Sequence, residues 1–218
     1  MRLSKKLLAA AAVVAAGATQ AAPTTITVLD GAPIPVVPST ISFDSGFSYT
    51  KKSVLEYIIK STEPKGTFAA FCLEPLEHLF PVALYDNGGT FTTAQADGLS
   101  KLFTGANWQS WNFAADGVTQ SYQRVGLGLA VWDLFIDNGV LDFNGGTLRV
   151  SNDGFGGAAI AFAQSSFAAG NLSMVPNLIH LTARGKQDLI IAVPEPTTYT
   201  LMFAGLLAIG FVARRRSR

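Results

Sequence analysis

Pro194, Glu195 and Pro196 divide this chain into parts that do not share one folding unit. A proline lacks the backbone donor and pushes the residue before it out of the helical region, so neither a helix nor a central strand runs through the segment. Beyond it, Leu201 to Ala213 carries no charge, and Thr197 to Ala213 makes 17 residues. As a helix these reach roughly 26 Å, at the low edge of what crosses a bilayer. Arg214, Arg215, Arg216 and Arg218 follow at once. By the positive-inside rule they keep the C-terminus in the cytoplasm and leave the preceding domain outside. The arginines argue against a buried core helix, and a GPI-type tail carries no such basic stop. A single-pass anchor and a removable tag both remain open.

The other end is also set apart. Arg2, Lys5 and Lys6 precede the apolar run Leu7–Ala18, and small residues follow. This is the pattern of a secretory signal peptide over residues 1–21, too short to span comfortably. It offers cleavage after Ala18 or after Ala21.

The charge split follows these boundaries. The chain's formal charge is +1, yet residues 22–192 hold nine basic and fourteen acidic side chains, a net of −5. Such a surface is a poor partner for nucleic acid. Cys72 is the single cysteine. With no intramolecular disulfide available, a hydrophobic core holds the exported domain together.

Within 22–192 the pattern predicts mainly antiparallel strands with two or three packed helices, an α+β domain. Thr24–Leu29 alternates and then breaks at prolines. Thr40–Thr50 reads as one strand. Ser53–Ser61 has helix-like spacing but β-branched content, and leans to strand. Gly66 opens a strand that Pro75 stops. Phe80–Tyr85 is a strand closed by an Asp86-Asn87-Gly88-Gly89 turn. Thr92 or Thr93 caps a helix with Leu99, Leu102 and Phe103 on one face. The clearest helix follows, with Tyr122, Val125, Leu129, Trp132 and Phe135 or Ile136 at steps of three and four and a stop at Asp137-Asn138-Gly139. Leu141–Gly157 reads as turn, strand, turn. Ala158–Ala169 reads as a helix ended by Gly170, and Asn177–Val193 as a hairpin around Arg184-Gly185.

The tail resembles one family's signal. Val193-Pro194-Glu195-Pro196, one apolar helix at about 198–213 and a basic tail at 214–218 are similar to the PEP-CTERM sorting signal. The resemblance implies export by the Sec route, transient residence in the inner membrane and recognition by an exosortase, a membrane cysteine protease. It further implies delivery to the cell surface or extracellular matrix of a Gram-negative bacterium that makes exopolysaccharide. Pro194, Glu195 and Pro196 are then the recognition residues. The expectation is a non-enzymatic surface protein associated with exopolysaccharide or biofilm.

The chain lacks G-x-S-x-G, H-E-x-x-H, a phosphate loop and a paired Cys-x-x-Cys, so no catalytic residues, metal ligands or cofactor are assigned. A secreted hydrolase stays only as an alternative without residues. The densest constellation is Cys72, Glu74, Glu77 and His78; the other histidine is His180. Six residues of strand and proline do not aim His78 at Cys72, and a Glu74/His78 metal pair lacks a third ligand. The plain reading of Cys72 is a buried thiol on a strand between aromatic neighbours. Asp137, Asp142, Asn144, Asn152 and Asp153 fit no calcium loop and read as turn chemistry. Trp108, Trp111 and Phe113 read as packing residues, with stacking on sugar rings as the alternative.

Residues 66–140 also resemble the thioester domains of surface adhesins. There, a cysteine after an aromatic residue bonds to a glutamine four residues before a helix tryptophan, and the bond captures amines. Cys72 and Trp132 match this, but Gly128 holds the glutamine position, with Gln120 and Gln123 further up the helix. The alternative this leaves is a reactive thiol, an internal thioester at Cys72.

Overall fold

A computed structural model describes residues 24–30, 39–43, 48–51, 56–62, 65–77, 82–108, 121–151, 153–155, 157–172 and 177–193. The expected signal peptide with Ala18 and Ala21, the Pro194–Pro196 motif, the helix expected at about 198–213 and the terminal arginines lie outside the described residues. Among the described residues no helix is long and apolar enough to cross a membrane.

Six strands close into a barrel: β1 (Thr24–Asp30), β4 (Glu56–Thr62), β5 (Lys65–Cys72), β9 (Leu189–Val193), β8 (Asn177–Thr182) and β6 (Val82–Gly89), in that spatial order. Every neighbouring pair is antiparallel. Period-two alternation explains the filling, because successive side chains on a strand point to opposite faces. Ile26 lies opposite Ala83, Ile59 opposite Phe68, Ala70 opposite Ile191 and Leu181 opposite Leu189, and these fill the interior. On the open side of the barrel the outward residues Val82, Leu84 and Asp86 are exposed.

The other outer face is covered by helices. Phe71 points outward from β5, and its ring lies 5.6 Å from that of Phe103 on α1 (Thr93–Gly105). Thr92 caps α1 with a capping box: its hydroxyl accepts from Gln95 N while Gln95 Oε1 accepts from Thr92 N. The helices α2 (Ser121–Ile136) and α3 (Ala158–Ala169) pack against α1 and each other. A three-stranded sheet of β3 (Ser48–Lys51), β2 (Ser39–Phe43) and β7 (Leu148–Ser151) lies against α2.

Three expectations change. The single strand expected at Thr40–Thr50 is two paired strands, β2 and β3. The Asp86–Gly89 turn is a register shift within β6, whose ladder with β8 resumes at Gly89 opposite His180. The helix expected from apolar steps of three and four is α2, yet it shows no single apolar face, for every residue from Arg124 to Leu134 is buried. A helix enclosed on all sides has no solvent face to be polar. Gly126 permits this enclosure, since a side chain there would strike the backbone of Ala159 on α3. At its end Asn138 and Gly139 take positive φ, and Gly139 N donates to Leu134 O, which stops the helix.

Candidate functional site at the mouth of the barrel

Cys72 ends β5 and is 1% exposed, as the plain reading of a buried strand thiol expects. Its ladder partner is Leu189, so it shares the interior face with Leu189 and Leu181. The thiol therefore points into the barrel, whereas α1 and α2 cover the outward face of β5. The helix position four before Trp132, Gly128, is thus on the far side of the strand from the thiol.

Another glutamine is closer. The ladder continues past Cys72, because Leu73 N donates to Asp188 O at 2.9 Å. Gln187, two residues before Leu189, is the diagonal neighbour of Cys72 on the same face, a separation long side chains bridge. Its side chain is wholly buried; Nε2 donates to Glu74 O at 2.6 Å and Oε1 has no partner. The Tyr85 hydroxyl, from β6 across the barrel, donates to Gln187 O at 3.1 Å. Burial pushes the Tyr85 hydroxyl up to about 12, and the nearby Cys72 and Asp188 add to the shift.

Carboxylates surround this end. Glu74 Oε2 accepts from Asp188 N at 3.2 Å. Burial raises the proton affinity of Glu74, the Asp188 and Glu77 charges add to it, and the Asp188 N–H and His180 oppose it. Asp188 Oδ2 meets His180 Nε2 at 3.0 Å, and its Oδ1 accepts from Ala183 N. His180 faces outward, stacked on Phe91 and edge-on to Phe135. A solvent-open cavity of about 290 Å³ lies here, lined by Glu74, Glu77, Asp188 and the Thr182–Lys186 turn. His78 lies outside the described residues.

The remaining sequence candidates among the described residues resolve into packing and turns. Trp108 is 4% exposed, with its ring 5.6 Å from Phe103, so it presents no platform for a sugar. Trp111, Phe113 and Asn152 lie outside the described residues. Asp142 Oδ1 accepts from Asn144 N and Gly145 N, and Asp137 accepts from Thr147 N and Leu148 N. Asp153 accepts from four backbone N–H groups at the start of α3. Among the described residues no group of three or more His, Cys, Asp or Glu is arranged to hold a metal ion.

Sequence reasoning missed Gln187 and Asp133. Gln187 sits in a polar run, Arg184 to Asp188, that reads as a solvated turn. Asp133 left a signal: one carboxylate inside the apolar run Leu129–Ile136. It is fully buried, Oδ2 accepts from Asp142 N, Oδ1 is bare, and burial lifts its carboxyl to about 7 with help from Asp137 and Asp142.

No curated protein and no solved structure matches the chain. One family model does match. Its motif marks a chain for export to the cell envelope and for processing by an exosortase. The PEP-CTERM protein-sorting motif is matched over residues 192–216, beginning within the last barrel strand, so the chain carries a PEP-CTERM sorting signal.

Proposed function

We propose that this chain is a non-enzymatic surface or matrix protein, made with a cleaved signal peptide and working within the exopolysaccharide coat or biofilm of a Gram-negative bacterium. The observation that carries this reading is the join between fold and signal. β9 is paired on both sides in the barrel, runs to Val193, and overlaps the start of the matched motif at residue 192. The folded domain is delivered with no spacer before the motif. Pro194 and Pro196 cannot donate to a ladder, so they end the strand and leave an extended segment for a protease groove. Glu195 is the specific handle, the 198–213 helix holds the chain in the membrane, and Arg214–Arg216 with Arg218 set its orientation.

Deleting the host's exosortase tests this. The protein is expected to stay membrane-bound at its larger size, and Glu195→Ala or Pro196→Ala is expected to reproduce that state. Unchanged release and size in all three strains would overturn the reading.

The buried, half-satisfied Gln187 favours a second reading: a surface adhesin with an internal thioester, formed between Cys72 and Gln187 rather than with a residue of α2. The Cys72 thiol adds to the Gln187 carboxamide carbon, the C–N bond breaks, and ammonia leaves with the thiol's proton. Before the bond forms, Glu74 O orients the Gln187 carboxamide through Nε2, and the Tyr85 hydroxyl holds the backbone carbonyl of Gln187. Intact mass is expected about 17 Da below that of the free side chains, one ammonia lost in acyl transfer to the thiol. Cys72→Ala and Gln187→Met are expected to show the full mass. A full mass in the parent protein would eliminate the bond.

A further inference from the structure

Resting on the reading of residues 198–213 as a membrane helix, we propose that the tail end of the barrel is seated on the phospholipid headgroup layer while the chain is uncleaved, with Lys65 against lipid phosphate and the cavity mouth turned away from the membrane. Strand direction comes first. Neighbouring strands alternate around the barrel, so β1, β5 and β8 begin at the end where β4, β6 and β9 finish. Val193, the last residue of β9, leaves from that end, paired with Asn177 at the start of β8. Lys65, at the start of β5, lies there too, opposite Thr62 at the end of β4. Thr24 starts β1 at the same end, and its hydroxyl meets those of Ser61 and Thr62 at 2.9 and 3.2 Å. Cys72, Glu74 and the Thr182–Lys186 turn occupy the opposite end.

Reach is the second constraint. Pro194 to Thr197, four residues, separate Val193 from the expected helix. Fully extended, such a tether covers about 14 Å at most. A headgroup layer takes up roughly 5–8 Å of that, and the long stem of Lys65 extends into the remainder. The barrel is therefore held at the surface by the end from which β9 leaves. While the expected signal peptide is attached, Thr24, three residues past Ala21, ties the same end to the same surface.

Charge is the third. Residues 22–192 carry a net −5, which an anionic membrane repels. Thr62, Lys65 and Asn177 are the exposed side chains named on the tail-end rim, and the charged one is basic. Lys60 and Asp86, both exposed, lie further along their strands and offset one another. Glu74, Glu77 and Asp188 surround the cavity at the far end. Seating the tail end puts these carboxylates a barrel's length from lipid phosphate and Lys65 nearest to it, and salt screens the longer separation more.

The test uses the untagged, uncleaved chain from an exosortase-deletion host, reconstituted into phosphatidylcholine vesicles with or without phosphatidylglycerol. In a Cys72→Ala background, Asn177→Cys, Thr62→Cys or Val82→Cys carries a nitroxide, and a nickel-chelating lipid supplies a relaxing agent at headgroup depth. Asn177 and Thr62 lie on the tail-end rim three strands apart, and Val82 lies at the mouth end, where β6 starts. Enhanced relaxation is expected for the Asn177 and Thr62 labels and none for the Val82 label. Lys65→Gln is expected to lower the ratio of seated to lifted domain about fivefold on phosphatidylglycerol vesicles, the worth of one basic side chain at an anionic surface. Added salt is expected to act in the same direction. Should Thr62→Cys disturb its bonds to Thr24 and Thr25 N, Lys65→Cys in pure phosphatidylcholine replaces it. Equal relaxation at both ends, relaxation of the Asn177 label alone, or a Lys65→Gln protein that matches the parent on phosphatidylglycerol overturns this inference alone. A chain that alkaline carbonate strips from the vesicles has no membrane helix, which removes the reading beneath the inference as well.

Discussion

The loop entering α3 and the mouth of the barrel each bury a polar side chain completely, and they treat it differently. Asp153 receives four backbone donors: Phe155 N and Gly157 N on Oδ1, Ala159 N and Ile160 N on Oδ2. Burial works against its charge, but the four donors together hold its carboxyl below the usual range. Gln187 makes one side-chain bond and leaves Oε1 bare. A bare buried acceptor costs about 1–3 kcal/mol. A fully satisfied buried group is explained by the structure it holds, whereas a half-satisfied one calls for another reason. Asp133, with one donor and one bare oxygen, falls between them.

The largest effect belongs to the satisfied group. Gly157, at the N-cap of α3, provides no side-chain cap, so Asp153 supplies the acceptors from upstream. Asp153→Ala leaves four donors unpaired at one helix start. A loss of about 4 kcal/mol in urea unfolding is expected, since bonds to a charged acceptor are the strong class. The folded proton affinity of Asp153 is depressed, so its contribution is complete above its ordinary value of 3.8 and disappears as pH falls through the lower folded value. A loss under 1 kcal/mol would break the contrast from this side.

Asp133 shows the opposite sign. Its carboxyl titrates near 7 in the fold against an ordinary 3.8, so the folded state keeps a proton that the unfolded chain has released. Stability therefore falls as pH rises from about 4 through 7 and is level above that. The slope has a ceiling of about 1.4 kcal/mol per pH unit, and relaxation around the site reduces the total to about 2 kcal/mol. Asp133→Asn retains an acceptor for Asp142 N and carries no charge. The difference between the two proteins across this window is the expected signature, and parallel pH curves would show that Asp133 is as well solvated as a surface group.

The same contrast explains what was legible beforehand. Helix limits were, because Thr92, Gly139 and Gly170 act locally. So was Cys72, a thiol among aromatic residues on an evident strand. The burial of α2 on all sides was not. Periodicity marks one apolar face, while its other faces carry Gly126, Gly128 and Ala130, small residues whose role depends on α3 and the barrel being there. Closure of the barrel depends on β1 pairing with both β4 and β6, and alternating strands look the same in a sandwich. Gln187 was hidden because its polarity matches its turn-like neighbours and its partner Glu74 is 113 residues away. The sorting motif in the tail was readable, since its prolines, apolar run and arginines act through their order in the chain, and the family match at residues 192–216 falls on it.

The smallest effect tests the half-satisfied group most sharply. Cys72→Ala is the reference, so that no cross-link contributes on either side. Adding Gln187→Met removes the bond to Glu74 O, worth about 1 kcal/mol, and also removes the bare Oε1, whose burial costs a similar amount. Methionine fills nearly the same volume with a flexible side chain. The two terms offset, and a net change below about 0.5 kcal/mol is expected in urea unfolding. A loss of 2 kcal/mol or more would mean that Gln187 is held for the fold, like Asp153. A near-zero change joined to a missing ammonia in the parent would mean that the barrel carries this glutamine for its carbonyl carbon.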